Sequence, residues 1–448
     1  MERPESQPWP ACGPREATPR SDFAAPLRVD IPRLCLSCPR YASLGGIDSD
    51  RRAFAGVSGG CSPRVYSPSA MAETAALPTA LRNDQLAAPN GAGGARIRVG
   101  IIGATGYVGG ELIRLLERHP NVRITGLQAR GREREAVGAT HAHLAGTGQI
   151  VDAALPDDVD AVFMALPHGA AAAMVPDLLA RGVTVIDLGP DFRLRDPADY
   201  PRWYGFDHPA PELLAQAVYG LPELHRAELA GLARRAGSLG SSQRSVAIVG
   251  SPGCYPTATL LALGPLARAG LIADLVVDAK SGVSGAGREA KPELSYSEIN
   301  ESVKAYGIGG HRHVAEIEQE LGWLGGSSGA RGVDFLPHLV PMTRGILAAC
   351  HVRPARPISQ TELDALYHDA YADEPFVTMV ATPPSTKHVL GSNHCRVHVS
   401  ADERTGRVLA IGVIDNLVKG AAGQAIQAFD LAFDLPETAG LEQLPLAP

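Results

Sequence analysis

Cys254 lies in the run Ser251-Pro252-Gly253-Cys254-Tyr255-Pro256-Thr257, behind the β-branched residues 246–249 and ahead of the apolar residues 258–266. The first segment predicts a buried strand and the second a helix. Pro252 and Gly253 supply the turn, and Pro256 suits a first helical turn, where a missing N–H is harmless. Cys254 is therefore expected at a helix N-terminus, where backbone N–H groups and the helix dipole favour thiolate over thiol. A buried structural cysteine is the competing reading. A second cluster, His311-Arg312-His313, follows the glycine-rich residues 305–310. Beside a nucleophilic cysteine, either histidine is a candidate acid/base. As a metal pair, His-x-His lacks an obvious third ligand, so no metal is expected. A third stretch, 280–288, mixes Gly, Ser, Lys280 and Arg288, and suits an anionic group.

Positioning such groups requires a scaffold, and residues 97–127 predict one. A β-branched strand at 97–102 runs into Gly103-Ala104-Thr105-Gly106-Tyr107-Val108-Gly109-Gly110, then an amphipathic helix at 111–118 and a strand at 122–127. This is a βαβ unit with a Gly-x-x-Gly-x-x-Gly turn over a helix N-terminus, a variant of the dinucleotide pyrophosphate site. Gly103, Thr105, Gly106, Tyr107, Val108 and Gly109 are the candidate cofactor contacts. After the second strand comes Gln128-Ala129-Arg130-Gly131-Arg132, with no acid before Glu133. An acid there would hold the ribose hydroxyls of NAD, whereas Arg130 suits the extra phosphate of NADP(H).

Further βα units follow: a strand at 159–165 ending in Leu166-Pro167-His168-Gly169, a helix at 170–180, and a strand at 184–188 ending in Gly189-Pro190-Asp191-Phe192-Arg193. Residues 200–245 are expected to be irregular, with an exposed loop at 234–245. Beyond Cys254, strands are expected at 275–279, 335–340, 345–352, 395–399 and 408–413, with a helix at 314–321. That strand-rich part predicts an α+β domain with an antiparallel or mixed sheet. Residues 415–429 predict a small-residue helix that packs back on the nucleotide-binding part. The expected division is a disordered extension at 1–95, a Rossmann-type α/β domain at 96–253, a catalytic and dimerisation domain at 254–414, and a C-terminal helix at 415–448.

The 448 residues suffice for two or three domains. Composition is globular, with 45% hydrophobic and 20% charged residues. A net charge of −7 gives no reason to expect nucleic acid or an anionic membrane as partner. No apolar run is long enough to span a bilayer. Seven cysteines, mostly isolated, fit a reducing compartment better than a disulfide framework. Residues 1–95 show no sustained period. Their Arg and Ser content suggests a transit peptide, which would place the protein in a plastid or another organelle, but acidic residues argue against it. Cys35-x-x-Cys38 suggests a metal module but lacks a second ligand pair. The favoured expectation is upstream sequence before a true start at Met71, in a cytoplasmic protein.

Residues 103–110, 251–257, 281–288, 311–317 and 415–424 together resemble N-acetyl-gamma-glutamyl-phosphate reductases, within the aspartate-semialdehyde dehydrogenase-like superfamily. The resemblance covers the chain from about residue 96 onward. It implies NADPH-dependent reduction of N-acetylglutamyl phosphate through a cysteine thioester, in arginine biosynthesis, by a homo-oligomer (dimer or tetramer). It implies Cys254 as nucleophile and His311 or His313 as acid/base. Pro167, Ser284, Gly285 and Asn416 join the cofactor contacts, and Arg288, Tyr306 and Arg344 are candidates for the substrate. The alternatives are a lysine-pathway aminoadipyl-phosphate reductase and aspartate-semialdehyde dehydrogenase. A short-chain dehydrogenase would need Tyr-x-x-x-Lys, which is missing. An NADP-binding redox regulator would leave Cys254 and His-Arg-His unexplained.

Overall fold

A computed structural model describes residues 96–235, 246–326 and 332–446. The extension at 1–95 with its cysteines, and most of the expected loop at 234–245, lie outside the described residues.

The chain opens with the glycine-rich βαβ unit. β1 (Ile97–Ile102) leads into α1 (Tyr107–Leu116) and β2 (Val122–Gln128). Then come β3 (Glu135–Ala136), α2 (Val137–Thr140), β4 (Ile150–Asp152), β5 (Ala161–Met164), α3 (Val175–Ala180), β6 (Thr184–Asp187), α4 (Asp199–Tyr204), β7 (Ala217–Tyr219), α5 (Pro222–Arg235) and β8 (Ile248–Gly250). The eight strands form one sheet in the order β3-β4-β2-β1-β5-β6-β8-β7, parallel except for β3 against β4. The chain leaves β1 toward β2 on one side and later returns to β5 on the other. The sheet therefore switches direction at the carboxyl end of β1, where α/β sheets bind ligands.

α6 (Cys254–Arg268) then carries the chain to a second sheet built from β9 (Ile272–Ser281), β10 (Lys304–Ala305), β11 (Asp334–Leu339), β12 (Ile346–Pro354), β13 (Val377–Met379), β14 (Cys395–Asp402) and β15 (Arg407–Ile414). The helices here are α7 (Tyr296–Ile299), α8 (His313–Gly325) and α9 (Gln360–Tyr371). The order is β10-β11-β9-β12-β15-β14-β13, with β9–β11 and β13–β14 parallel and the rest antiparallel, so the sheet is mixed.

α6 is buried along nearly its whole length, from Tyr255 to Ala267. It packs with β9, β12, β14 and β15 in one apolar core. Pro265 sits inside this helix and cannot donate to the Leu261 carbonyl. The Tyr371 hydroxyl of α9 donates to that carbonyl at 2.5 Å, and Tyr367 donates to Ala262 at 2.6 Å. α9 thus satisfies the backbone that the proline leaves open.

The C-terminal helix packs as expected, with a break in its form. Residues Val418–Ala422 make a π-helical turn before α10 (Gly423–Ala432). Ala425, Ile426 and Phe429 join the core of the first sheet with Val99, Ile101 and Leu112.

Three expectations need correction. α1 begins at Tyr107, four residues before the amphipathic stretch, because the glycine turn feeds the helix directly. The helix expected at 170–180 is α3 alone, preceded by turns that wrap Asp191: its carboxylate accepts the N–H groups of Gly169 (2.8 Å) and Ala172 (3.0 Å). Residues 200–235 are not irregular. They include α4, the 3-10 segment Pro211–Gln216, β7 and α5. α5 is kinked at His225 (φ −121°), which hides its period.

Candidate active site

Cys254 is the first residue of α6, directly behind β8, where the two sheets meet. Gly253 is the N-cap and offers no side-chain cap, so the first N–H groups of α6 face the Cys254 side chain rather than a capping group. The side chain is partly exposed. Burial pushes the thiol up to about 11, against the opposite pull of the Arg193 guanidinium and the Tyr255 N–H. The helix start alone therefore does not make a resting thiolate here.

The histidines sit at the start of α8, His313 within it and His311 just before it, and α8 packs beside α6. His313 is its first residue and is buried. A methyl group on Gly253 would fall 2.5 Å from His313 Nε2, so this imidazole lies against the residue preceding the cysteine. Its Nδ1 has no partner among the described residues. His311 stacks edge-on to His313 with ring centres 4.8 Å apart, and its Nδ1 accepts the His313 N–H at 3.2 Å. Burial holds both imidazoles neutral: His311 titrates at about 4, and His313 lies well below the ordinary range. Tyr306 completes the group. Its ring lies 5.6 Å from His311 and its hydroxyl donates to the Tyr255 hydroxyl at 3.1 Å. Cys254, His311, His313 and Tyr306 thus form one cluster.

Two residues behind this cluster were not singled out in the sequence. Glu316 follows His313 on α8 and is fully buried. One oxygen accepts the Gly253 N–H at 2.9 Å and the Tyr219 hydroxyl at 3.0 Å; the other pairs with Arg193 at 3.1 Å. Arg193 also donates to the carbonyls of Ser251 (2.7 Å) and Leu188 (2.8 Å). The pair therefore fastens both sides of the Ser251–Gly253 turn. A buried ion pair persists only when its remaining polar atoms are also hydrogen-bonded, as here. Glu316 was detectable as the i+3 neighbour of His313. Arg193 carried no local signal beyond its place after a strand end.

The glycine-rich turn forms a separate cradle. Gly103 has φ +86°, and a methyl there would fall 2.2 Å from the Ala165 carbonyl, so only glycine fits. Gly103 and Ala104 donate to the Gln128 carbonyl at 2.9 and 3.1 Å, tying the turn to the end of β2. α1 starts at Tyr107 with Gly106 as an uncapped N-cap, and Val108 and Gly109 fall in its first turn. Beside them a cavity of about 550 Å³ is lined by Thr105, Gly106, Thr140, the guanidinium groups of Arg132 and Arg288, and the carboxylates of Glu135 and Glu289. Open N–H groups and two guanidinium groups around such a space fit a dinucleotide's phosphates. Arg130 is exposed at the strand end. Arg132, which lines the cavity, pairs with Glu135 at 2.6 Å.

Ser284, Gly285 and Asn416 come together between the second sheet and the C-terminal segment. Asn416 donates to the Ser284 hydroxyl at 2.9 Å and accepts the Gly345 N–H at 2.8 Å. Pro167 lies in the loop after β5, where its carbonyl accepts the Ala170 N–H at 3.3 Å.

Both arginines expected at the substrate, Arg288 and Arg344, make other contacts in the structure. Arg288 donates to the carbonyls of Thr140 (2.7 Å) and Thr105 (3.4 Å) and covers the Tyr107 ring, so its contacts belong to the nucleotide turn. Arg344 is held by two carboxylates, Glu111 of α1 and Asp415. Its charge ties α1 to the second sheet.

This arrangement has counterparts. The semialdehyde dehydrogenase NAD binding domain model matches residues 98–232, and the semialdehyde dehydrogenase dimerisation domain model matches 254–416. N-acetyl-gamma-glutamyl-phosphate reductase from Halorhodospira halophila is 48% identical over 361 residues, covering 79% of this chain and 100% of the relative. The enzyme of the same name from Desulforudis audaxviator is 47% identical over 354 residues, covering 77% and 98%. The chain belongs to the N-acetyl-gamma-glutamyl-phosphate reductase family. Among solved structures, aspartate semialdehyde dehydrogenase II from Vibrio cholerae superimposes with TM-score 0.57 at 20% identity, covering 75% of this chain and 98% of that one. The Candida albicans enzyme, solved with NADP, gives 0.54 at 17%. At these identities the likeness is one of fold. It gives this reductase family member the semialdehyde dehydrogenase architecture.

Proposed function

We propose that this protein reduces N-acetyl-L-glutamyl 5-phosphate to N-acetyl-L-glutamate 5-semialdehyde and phosphate, with NADPH as reductant, in arginine biosynthesis. The observation that carries the reading is the placement of Cys254 at a helix N-terminus, with a neutral buried imidazole packed against the preceding residue, Gly253. Full-length relatives bearing the reductase name support the substrate.

In this reading Cys254 is the nucleophile. His313 takes its proton during attack, because its Nε2 lies beside Gly253 and its ring is neutral at pH 7. A thiol near 11 paired with a neutral base suits proton transfer within the attack rather than a standing ion pair. His311 and Tyr306 orient that ring. The N–H groups at the start of α6 stabilise the oxyanion. Glu316 and Arg193 hold the turn.

Gly103, Thr105, Gly106, Tyr107, Val108 and Gly109 hold the cofactor's pyrophosphate. Arg288 and Arg132 line its phosphate side, with Arg130 at the strand end. Pro167, Ser284, Gly285 and Asn416 border its other end. When bound, NADPH supplies the hydride that reduces the thioester. In this reading the domains divide at residues 96, 254 and 415, a division that the two sheets and the returning C-terminal helix support. The dimerisation model over 254–416 supports a homo-oligomer. Among the described residues no helix is long and apolar enough to cross a membrane, and a cytoplasmic location fits bacterial relatives of this name.

The test is phosphate-dependent oxidation of N-acetylglutamate semialdehyde with NADP, in wild type and C254S. Wild type should turn over, while C254S should lose turnover and keep NADP binding. Turnover with aspartate semialdehyde or an aminoadipate semialdehyde in its place would overturn the substrate assignment.

A further inference from the structure

The acyl phosphate in the proposed reaction brings a phosphate that must be held and then released. The two cations first expected to hold it are committed elsewhere, Arg344 to Glu111 and Asp415 and Arg288 to the nucleotide turn, and the buried Arg193 is paired with Glu316. Arg312 differs from all three. It lies between His311 and His313, it is exposed, and among the described residues no carboxylate lies within ion-pair distance of it. Its hydrogen-bond partner is a neutral acceptor: Nη1 donates to His168 Nε2 at 2.8 Å. His168 sits in the loop after β5, so this contact crosses from one sheet's loops to the other's.

A guanidinium has five donors in a planar fork. One engaged by His168 leaves others available for a tetrahedral anion. The backbone also favours negative charge here, since α6 and α8 both begin at this cluster, with Cys254 and His313 as their first residues. The charge of Arg312 also opposes protonation of His311, His313 and His168, so they do not compete with it as cations.

We propose that Arg312 is the residue that binds the phosphoryl group of the acyl phosphate and accompanies it as the leaving group. This rests on the acyl-phosphate reading above. The Cys254 sulfur forms its bond to the acyl carbon, and the bond from that carbon to the phosphate oxygen breaks. The oxygen keeps the electron pair and leaves as inorganic phosphate, while the thiol proton passes to imidazole. Arg312 offsets the negative charge that grows on the departing oxygen. In reverse, it holds inorganic phosphate for attack on the thioester.

The experiment measures the reverse direction, varying phosphate and semialdehyde separately, in wild type, R312A and R312K. Loss of a charge-assisted hydrogen bond predicts a rise in KM for phosphate on the order of tenfold to a hundredfold in R312A. KM for the semialdehyde should stay within about threefold, and R312K should fall between, keeping charge without the fork. A rise confined to the semialdehyde KM would overturn the assignment and make Arg312 a carboxylate ligand. An unchanged phosphate KM would also overturn it. Phosphorus NMR line broadening of inorganic phosphate reads the same site without turnover, and broadening should be lost in R312A. A wild type that broadens the phosphate line but does not oxidise the semialdehyde would refute the substrate reading and leave this one standing. Equal broadening by wild type and R312A would refute this one alone.

Discussion

At the scale of single residues, the site works through opposed influences on Cys254. The helix start and Arg193 favour the thiolate, but burial outweighs them and leaves the thiol near 11. A raised pKa means that the neutral thiol dominates at pH 7 and that reactivity grows as pH rises toward 11. Alkylation of the free enzyme by iodoacetamide should therefore climb about tenfold per pH unit from pH 7 to 10. A plateau below pH 8 would show a depressed thiol. The sequence revealed the cysteine and histidines because strand, turn and helix signals surround them. It hid Arg193 because its partner Glu316 is distant in the chain and only the fold joins them. The same limit explains Arg344 and Arg288: a guanidinium's partner is a tertiary fact, and no spacing rule reports it.

Among the elements, α6 and the π-turn at Val418–Ala422 set the position of the nucleophile. The π-turn arises from bonds that reach back five residues, Gly420 N–H to the Asp415 carbonyl and Ala422 N–H to Leu417, each 2.9 Å. It brings Gly420 so close that a methyl there would fall 2.8 Å from Cys254 Cβ and 3.2 Å from Ile414. Cys254 Cβ is fixed to the backbone and cannot swing away. G420A should therefore displace the nucleophile and lower kcat on the order of tenfold to a hundredfold, while NADP affinity holds. Steady-state kinetics with a cofactor titration check it, and a wild-type kcat would contradict it. The helix expected over 415–429 was legible from its small residues. The π-turn within it was not, because the same sequence serves either backbone and contact with α6 decides.

At the scale of the whole molecule, both sheets were legible in outline, since parallel βα units and strand-rich segments have different patterns. Residues 200–235 were misread because their elements are short and one is kinked at His225. Chain economy is also visible: relatives aligned over 98–100% of their own length cover only 77–79% of this chain. The family models begin at residue 98. Deleting residues 1–90 should thus leave melting temperature and specific activity within error of the full chain. An insoluble or inactive truncation would show that the extension is part of the working protein.

The central claim is a covalent intermediate on Cys254. Wild-type protein should be mixed with the acyl phosphate in the absence of cofactor, quenched in acid and read by intact and peptide mass spectrometry. The account predicts one N-acetylglutamyl group per chain, on the peptide that carries Cys254. The adduct should be removed by hydroxylamine, discharged by added NADPH, and missing from C254S. Turnover at full rate with no such adduct, or an adduct on another residue, would contradict it.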